Sequence, residues 1–204
     1  MASKSGVLFL LAFLLGVSFN SVEGRTIFPN IKTVTNLNID NYVGRWYEMY
    51  SDLVVKATFE RNSYCTTATY GKINDTAVTV FNSGRLGSPT GPPSEIRGMA
   101  YVADAAEPGQ LKLKFPNIPL GDYWVIALGP VEDNEYQYAV VTEPMMLQLF
   151  ILARDPDEFR QKYEDDVLDI VKNAGFTRFY NKPRETVQVP DCIYPPSSKF
   201  LYEN

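Results

Sequence analysis

Asn41-Tyr42-Val43-Gly44-Arg45-Trp46-Tyr47-Glu48-Met49-Tyr50 is the stretch whose reading decides this chain. A polar lead-in, Asn38-Ile39-Asp40-Asn41, runs into a glycine and then into a dense aromatic segment. The glycine allows a sharp turn or a close approach of the backbone to another group. Trp46 is large, and so near a strand start it needs a burial place and an acceptor for its indole N–H. Strand alternation places Trp46, Glu48 and Tyr50 on one face and Tyr47 and Met49 on the other. Taken alone, the segment reads equally well as an aromatic-rich core strand.

Upstream, Lys4 precedes an apolar run from Val7 to Val17, and Val22-Glu23-Gly24 offers a small-residue cleavage site. That order is expected of a secretory signal peptide over residues 1–24. The run falls short of the ~18–20 apolar residues a membrane span needs. Residues 25–204 then form one expected domain, secreted and extracellular, with no internal repeat or linker.

Composition excludes several classes. The net charge of −5 argues against a nucleic-acid partner, which requires a basic face. Aromatic content of 13% with 45% hydrophobic residues argues against disorder. The chain has no histidine, so no Ser–His or Cys–His nucleophile and no histidine-ligated metal can be built. No metal site or cofactor is implied. In an oxidising compartment the two cysteines, Cys65 and Cys192, are expected to pair and tie an early strand to the C-terminal tail.

Downstream of the opening strand, β-branched and aromatic runs recur at short spacing. They are Tyr64–Tyr70, Ala77–Asn82, Ile96–Val102, Leu111–Phe115, Tyr123–Leu128, Tyr136–Val141 and about Leu147–Ala153. Asp52 to Arg61 reads as a long loop. With the first strand the count is eight, which predicts an all-β antiparallel sandwich or up-and-down barrel. The turn after the second strand carries Asn74-Asp75-Thr76, a glycosylation acceptor in a secreted chain. Asp155-Pro156-Asp157-Glu158 then starts a helix over about 156–174. Phe159, Tyr163, Val167, Ile170 and Val171 give it one apolar face, Gly175 ends it, and Phe176 to Tyr180 offers a further short strand.

These residues resemble the lipocalins, in the branch that contains apolipoprotein D and the bacterial outer-membrane lipocalin. Gly44-Arg45-Trp46-Tyr47-Glu48 is similar to the family's opening motif, and Phe150-Ile151-Leu152-Ala153-Arg154-Asp155-Pro156 to its closing motif. The likeness runs from about Asn38 to Cys192. It implies an eight-stranded up-and-down β-barrel with one C-terminal helix packed outside. It also implies closure of one end by Gly44, Trp46 and Arg154, the guanidinium lying on the indole. The family's middle motif is disturbed here. Gly129-Pro130-Val131-Glu132-Asp133-Asn134 stands in its place, which bears on the closed-end loop and not on the fold.

The same resemblance points Tyr70, Asn82, Phe115, Trp124 and Phe150 into the barrel. Alternation adds Glu48, Tyr50, Ala68, Val80 and Leu152. That set suits an apolar ligand held by few polar groups. The expected function is therefore a carrier of a small hydrophobic ligand: a fatty acid, lysophospholipid, sterol, retinoid, carotenoid or bilin. The alternatives are an enzyme acting on a lipid or xanthophyll, and a pigment-bearing chromoprotein. Arg85 and Arg97 flank a Gly/Pro-rich loop at the open mouth and are read as solvated charges or as partners for a ligand carboxylate. Met145-Met146-Leu147 is a candidate for peripheral lipid-surface contact, with barrel core as the other reading. A monomer or weak homo-oligomer is expected.

Overall fold

The structure, a computed structural model, describes residues 31–196, so the expected signal peptide lies outside the described residues. A short helix α1 (Ile39–Tyr42) leads into β1 (Gly44–Ser51), followed by helix α2 (Leu53–Ala57). Four strands come after it: β2 (Ser63–Asn74), β3 (Ala77–Leu86), β4 (Pro93–Val102) and β5 (Gln110–Lys114). Next come β6 (Gly121–Leu128), the two-residue pair β7 (Val131–Glu132) and β8 (Glu135–Tyr136), then β9 (Tyr138–Thr142) and β10 (Leu149–Ala153). Helices α3 (Pro156–Lys162) and α4 (Glu164–Asn173) and the short β11 (Arg184–Glu185) complete the chain. The sheet runs β10-β9-β6-β5-β4-β3-β2-β1, and β10 pairs back with β1. Every pairing is antiparallel, so eight strands close into the expected barrel without free edges.

Alternation divides the apolar residues between two cores. Trp46, Tyr70, Val80, Leu111, Tyr123, Val141 and Leu152 pack inside the barrel. Met49, Ile151, Phe159, Val167, Val171 and Phe176 pack outside it, beneath the helices. One irregularity changes the phase of β1. Tyr47 and Glu48 pair with Ala153 and Leu152, and then Tyr50 and Ser51 pair with Ile151 and Phe150. Met49 is the extra residue of a β-bulge, and a bulge reverses the facing of the residues beyond it. Glu48 and Ser51 therefore face inward, whereas Tyr50, expected inside, turns outward. Its hydroxyl donates to Glu164 of α4 at 2.7 Å.

The expected single helix is two. Asp155 caps α3, accepting from the Asp157 and Glu158 amides at 2.8 Å each, with Pro156 in the first turn. The helix breaks at Tyr163, whose ring packs on Tyr138 of the barrel wall with centroids 5.6 Å apart. Glu164, Asp165 and Asp166 favour a new N-terminus there. Ile170 faces solvent instead of joining the buried stripe. The expected strand at Phe176–Tyr180 does not form. Phe176 is drawn into the outer core and the added strand comes later, as β11 against β1. The long loop expected over Asp52–Arg61 contains α2, capped by Asp52, whose Oδ1 accepts from the Val55 amide at 2.9 Å.

Candidate ligand site

The floor of the barrel is built by residues from both ends of the barrel sequence that strand closure carries together. The Trp46 indole is fully buried and donates to the Tyr42 carbonyl at 2.8 Å. The Arg154 guanidinium lies 3.8 Å from the Trp46 ring centroid. It donates to the carbonyls of Arg45 at 2.9 Å, Val43 at 2.8 Å, Asn41 at 3.0 Å and Tyr136 at 3.2 Å. The planar fork of arginine suits this geometry in a way a lysine would not. Gly44 has φ +99°, and a Cβ there would fall 2.9 Å from Arg154 Nη1, so the residue must be glycine on both counts. The expected closure by Gly44, Trp46 and Arg154 is present. The extra residues of the disturbed middle motif form the β7–β8 hairpin, turned by Asp133 and Asn134, both at positive φ. That hairpin delivers Tyr136, whose hydroxyl donates to the Asn36 carbonyl and accepts from the Asn38 amide, each at 3.2 Å.

Above the indole lies a chain of three buried phenols. The Tyr123 hydroxyl is 2.6 Å from that of Tyr42 and 2.8 Å from that of Tyr70. Burial raises all three phenols, Tyr70 to about 12, so they remain neutral. Tyr70 is inward as expected, but it is part of the packed floor.

The strand pairing divides the expected ligand residues between the two faces of the wall. Asn82 lies opposite inward Ala68, Phe150 opposite inward Ser51 and Val141, and Phe115 stands over Gly98, where a Cβ would come within 2.5 Å of its ring. All three face the interior and are half-buried. Trp124 does not. It pairs with Gln110 and Thr142, while Tyr123 and Val125 on either side occupy the inner core. Trp124 is an outer-face residue, because a one-residue difference in phase moves a side chain to the other surface. Tyr123 is the residue that the sequence reading missed. Two adjacent aromatics left the phase undecided, and only pairing with Leu111 fixes it.

Glu48 is buried and faces inward. Its carboxylate accepts from Ser51 Oγ at 2.8 Å and from Thr186 Oγ1, and Lys56 Nζ stands 4.0 Å away. Ser51 Oγ is also 3.3 Å from Glu60 Oε2. Burial, then the neighbouring Glu48 charge, holds Glu60 well above the usual carboxylate range.

These groups sit where the barrel wall is split. β1 and β2 pair only over Gly44–Tyr47, and beyond that the C-terminal tail runs between them. The Thr186 amide donates to Met49 O at 2.8 Å, and the Cys65 amide donates to Val187 O at 2.9 Å. Gln188 Nε2 bridges Glu48 O at 3.0 Å and Thr66 O at 2.8 Å. The expected Cys65–Cys192 disulfide clamps the tail in place. Arg85 donates to Ile193 O at 2.6 Å and so anchors the tail, and Arg97 lies over Phe81, 4.2 Å from its centroid, on the outer face. Neither arginine points inward. Met146 is buried in the outer core, while Met145 is exposed at the mouth.

Two surface concavities accompany the barrel. One of about 370 Å³ is lined by Asn36–Asp40 and Asp75 at the closed end. The other, about 220 Å³, is lined by Lys56, Glu60, Asn62, Ser63, Tyr64, Glu185 and Val187 beside the tail. Neither is lined by the inward-facing set.

A lipocalin-like domain matches residues 37–182. Temperature-induced lipocalin-1 of Arabidopsis thaliana is 30% identical over 186 residues, covering 84% of this chain and 92% of that protein. The outer membrane lipoprotein Blc of Escherichia coli K12 is 33% identical over 149 residues, covering 72% and 77%. Apolipoprotein D of Mus musculus is 29% identical over 158 residues, covering 74% and 79%. A closed eight-stranded barrel, an arginine-capped indole at its floor and a domain match over most of the chain agree: this protein belongs to the lipocalin family.

Proposed function

We propose that this chain is a secreted carrier that holds one small hydrophobic molecule in the mouth half of its barrel. One observation carries the reading. Asn82, Ile96, Leu113, Phe115 and Phe150 belong to the inner face of a closed barrel, yet each is only half-buried. Inward apolar surface that water still reaches is surface a guest would cover, at about 25 cal/mol per Å² of apolar area. Among them Asn82 Oδ1 is itself buried and has no hydrogen-bond partner. A buried, unpaired amide oxygen favours a ligand that brings an O–H or N–H donor to it. Sterols, retinol and bilins fit that description better than a hydrocarbon without a donor.

The disulfide and the acceptor sequon support an extracellular location. Asn74 is exposed at the end of β2, and its Oδ1 accepts from the Thr76 amide at 2.9 Å and the Thr76 hydroxyl at 3.0 Å. An N-glycan at Asn74 belongs to this reading and is checked by the mass lost on glycosidase treatment. The enzyme reading is weaker, because the only two cysteines are joined to each other. The carrier works as a monomer or a weak oligomer.

Titration with retinol and with a fluorescent sterol, followed by quenching of tryptophan emission, tests the proposal. Saturable uptake near one ligand per chain is expected. A chain that takes up neither these nor a fatty acid or bilin, and that carries no small molecule in native mass spectrometry, overturns it.

A further inference from the structure

We propose that the mouth of the barrel is a docking face for an anionic phospholipid surface. This goes beyond the carrier reading and does not depend on it, since an empty barrel would dock by the same face.

Among the described residues, exposed large apolar side chains gather at one end of the molecule, apart from Ile73 and Val131 at the closed end, Ile170 on α4, and Val187, Val189 and Ile193 along the tail. Phe59 follows α2, Leu86 ends β3, Leu120 lies between β5 and β6, Met145 between β9 and β10, and Phe179 in the loop after α4. Their exposures are 57, 41, 53, 41 and 73%. The register places the first four at the mouth end. The Leu53 amide, which donates to Tyr180 O at 3.2 Å, and Arg184, which pairs with Ser51, place the fifth beside them. Five separate loops each expose a large apolar side chain at the rim through which a ligand must pass. At the closed end the corresponding residues are Ile73 and Val131.

Charge separates along the same axis. The mouth segments 52–63, 84–95, 114–122, 143–149 and 176–185 expose four cations, Arg61, Lys114, Arg178 and Lys182, against two acids, Glu95 and Glu185. The closed-end segments 70–77, 102–110 and 128–137 expose six acids against one base, Lys72. A chain of net charge −5 thus turns its acidic end away from its apolar rim. Three of the rim side chains have a cation in the same connection: Phe59 with Arg61, Leu120 with Lys114, and Phe179 with Arg178 and Lys182. Apolar tips flanked by long cations can bury the tip among acyl chains while the charge stays at headgroup level. A hydrophobic face alone would accept a protein or a second copy. The charge polarity favours an anionic lipid surface and orients the acidic floor away from it.

Co-flotation of the purified protein with vesicles tests this. One set is phosphatidylcholine alone, and the other contains 30% phosphatidylserine. Binding to the anionic vesicles is expected to be stronger by on the order of tenfold at low salt and to weaken with added salt. Phe59→Ser with Phe179→Ser is expected to reduce that binding at least tenfold, and Arg178→Glu with Lys182→Glu to remove the preference for phosphatidylserine. Ile73→Ser at the closed end should change nothing. Near-UV circular dichroism and retinol uptake establish that each variant is folded and that its barrel works. Ligand uptake without vesicle binding overturns docking while leaving the carrier reading intact. Vesicle binding that survives the rim substitutions, or equal binding to both vesicle types, also overturns it. A lipid-free dimer that the rim substitutions dissolve would assign the face to a second copy and overturn it as well.

Discussion

The two ends of the barrel are built on opposite terms. At the closed end the largest side chain is fully buried, its indole N–H is paired, and Arg154 distributes its donors over four backbone carbonyls. At the mouth the wall is split and re-joined by the tail. Asn82 Oδ1 and Thr66 Oγ1 are buried there without hydrogen-bond partners. At the floor the indole and guanidinium donors are paired, with Thr69 Oγ1 opposite Arg45 a buried exception, whereas at the mouth the unpartnered oxygen of Asn82 belongs to a side chain that faces the interior. Such departures concentrate where a protein has something to bind. The lesson is a division of labour along one axis: the floor holds the fold, and the mouth keeps unsatisfied groups available.

The largest test of that contrast is Trp46→Ala. It should lower unfolding free energy by about 3–5 kcal/mol in urea titration, since it empties the floor and removes the surface on which Arg154 lies. A loss below about 1 kcal/mol would mean that the floor is not the anchor. Replacing both cysteines, Cys65→Ser with Cys192→Ser, should cost about 2–4 kcal/mol, because the bridge spans 127 residues of sequence. Hydrogen exchange should show the added opening in β1 and β2 above Tyr47, with Trp46 and its neighbours still protected. Uniform loss of protection would erase the distinction between the ends.

Asp52 sharpens the comparison through pH. Burial pushes its carboxyl up to about 6, against partial relief from backbone amides that include Val55. The folded protein then holds the Asp52 proton more tightly than the unfolded chain does. This group's contribution to stability is therefore greatest below pH ~4 and is lost as pH rises through ~6. Asp52→Asn retains an N-cap of equal quality for α2 and removes that cost. It should stabilise the protein at pH 7 by roughly 2 kcal/mol and flatten the stability profile between pH 4 and 6, as read by thermal unfolding at several pH values. A destabilised Asn variant would show that the charge at Asp52 is needed.

The smallest effect on the empty protein is expected at Asn82. Asn82→Leu removes a polar group that has an unpartnered oxygen, so apo stability should move by no more than about 1 kcal/mol. Affinity for a donor-bearing ligand such as retinol should nevertheless fall about tenfold in fluorescence titration, because a paired buried acceptor is lost. Unchanged affinity would remove Asn82 from the site.

Much of the floor was legible beforehand. A glycine, an aromatic strand and a distant arginine before a capped helix took their roles from the likeness of the two end motifs to the lipocalins, since short-range rules alone leave Trp46 readable as ordinary core. The inner wall was legible only in part. The family likeness pointed Asn82, Phe115 and Phe150 inward, and these three keep the phase of regular strands. Tyr50 lost it to the Met49 bulge, and Trp124 lost it because Tyr123 beside it is equally suited to burial. The mouth was least legible, since its polar groups come from α2, β1 and a tail more than 130 residues further along.

The sequence by itself determined the number of strands, the late helical region with its cap and the candidate disulfide, through periodicity, turn chemistry and the pair of cysteines. The residues that plug one end were legible through the resemblance of the two end motifs to the lipocalins. Only the tertiary structure decided which aromatics face inward, that the wall between β1 and β2 is completed by the tail, and that apolar tips and cations collect at one rim. Facing depends on register, which a single bulge resets. The two ends acquire their character from loops that become neighbours only once the barrel closes.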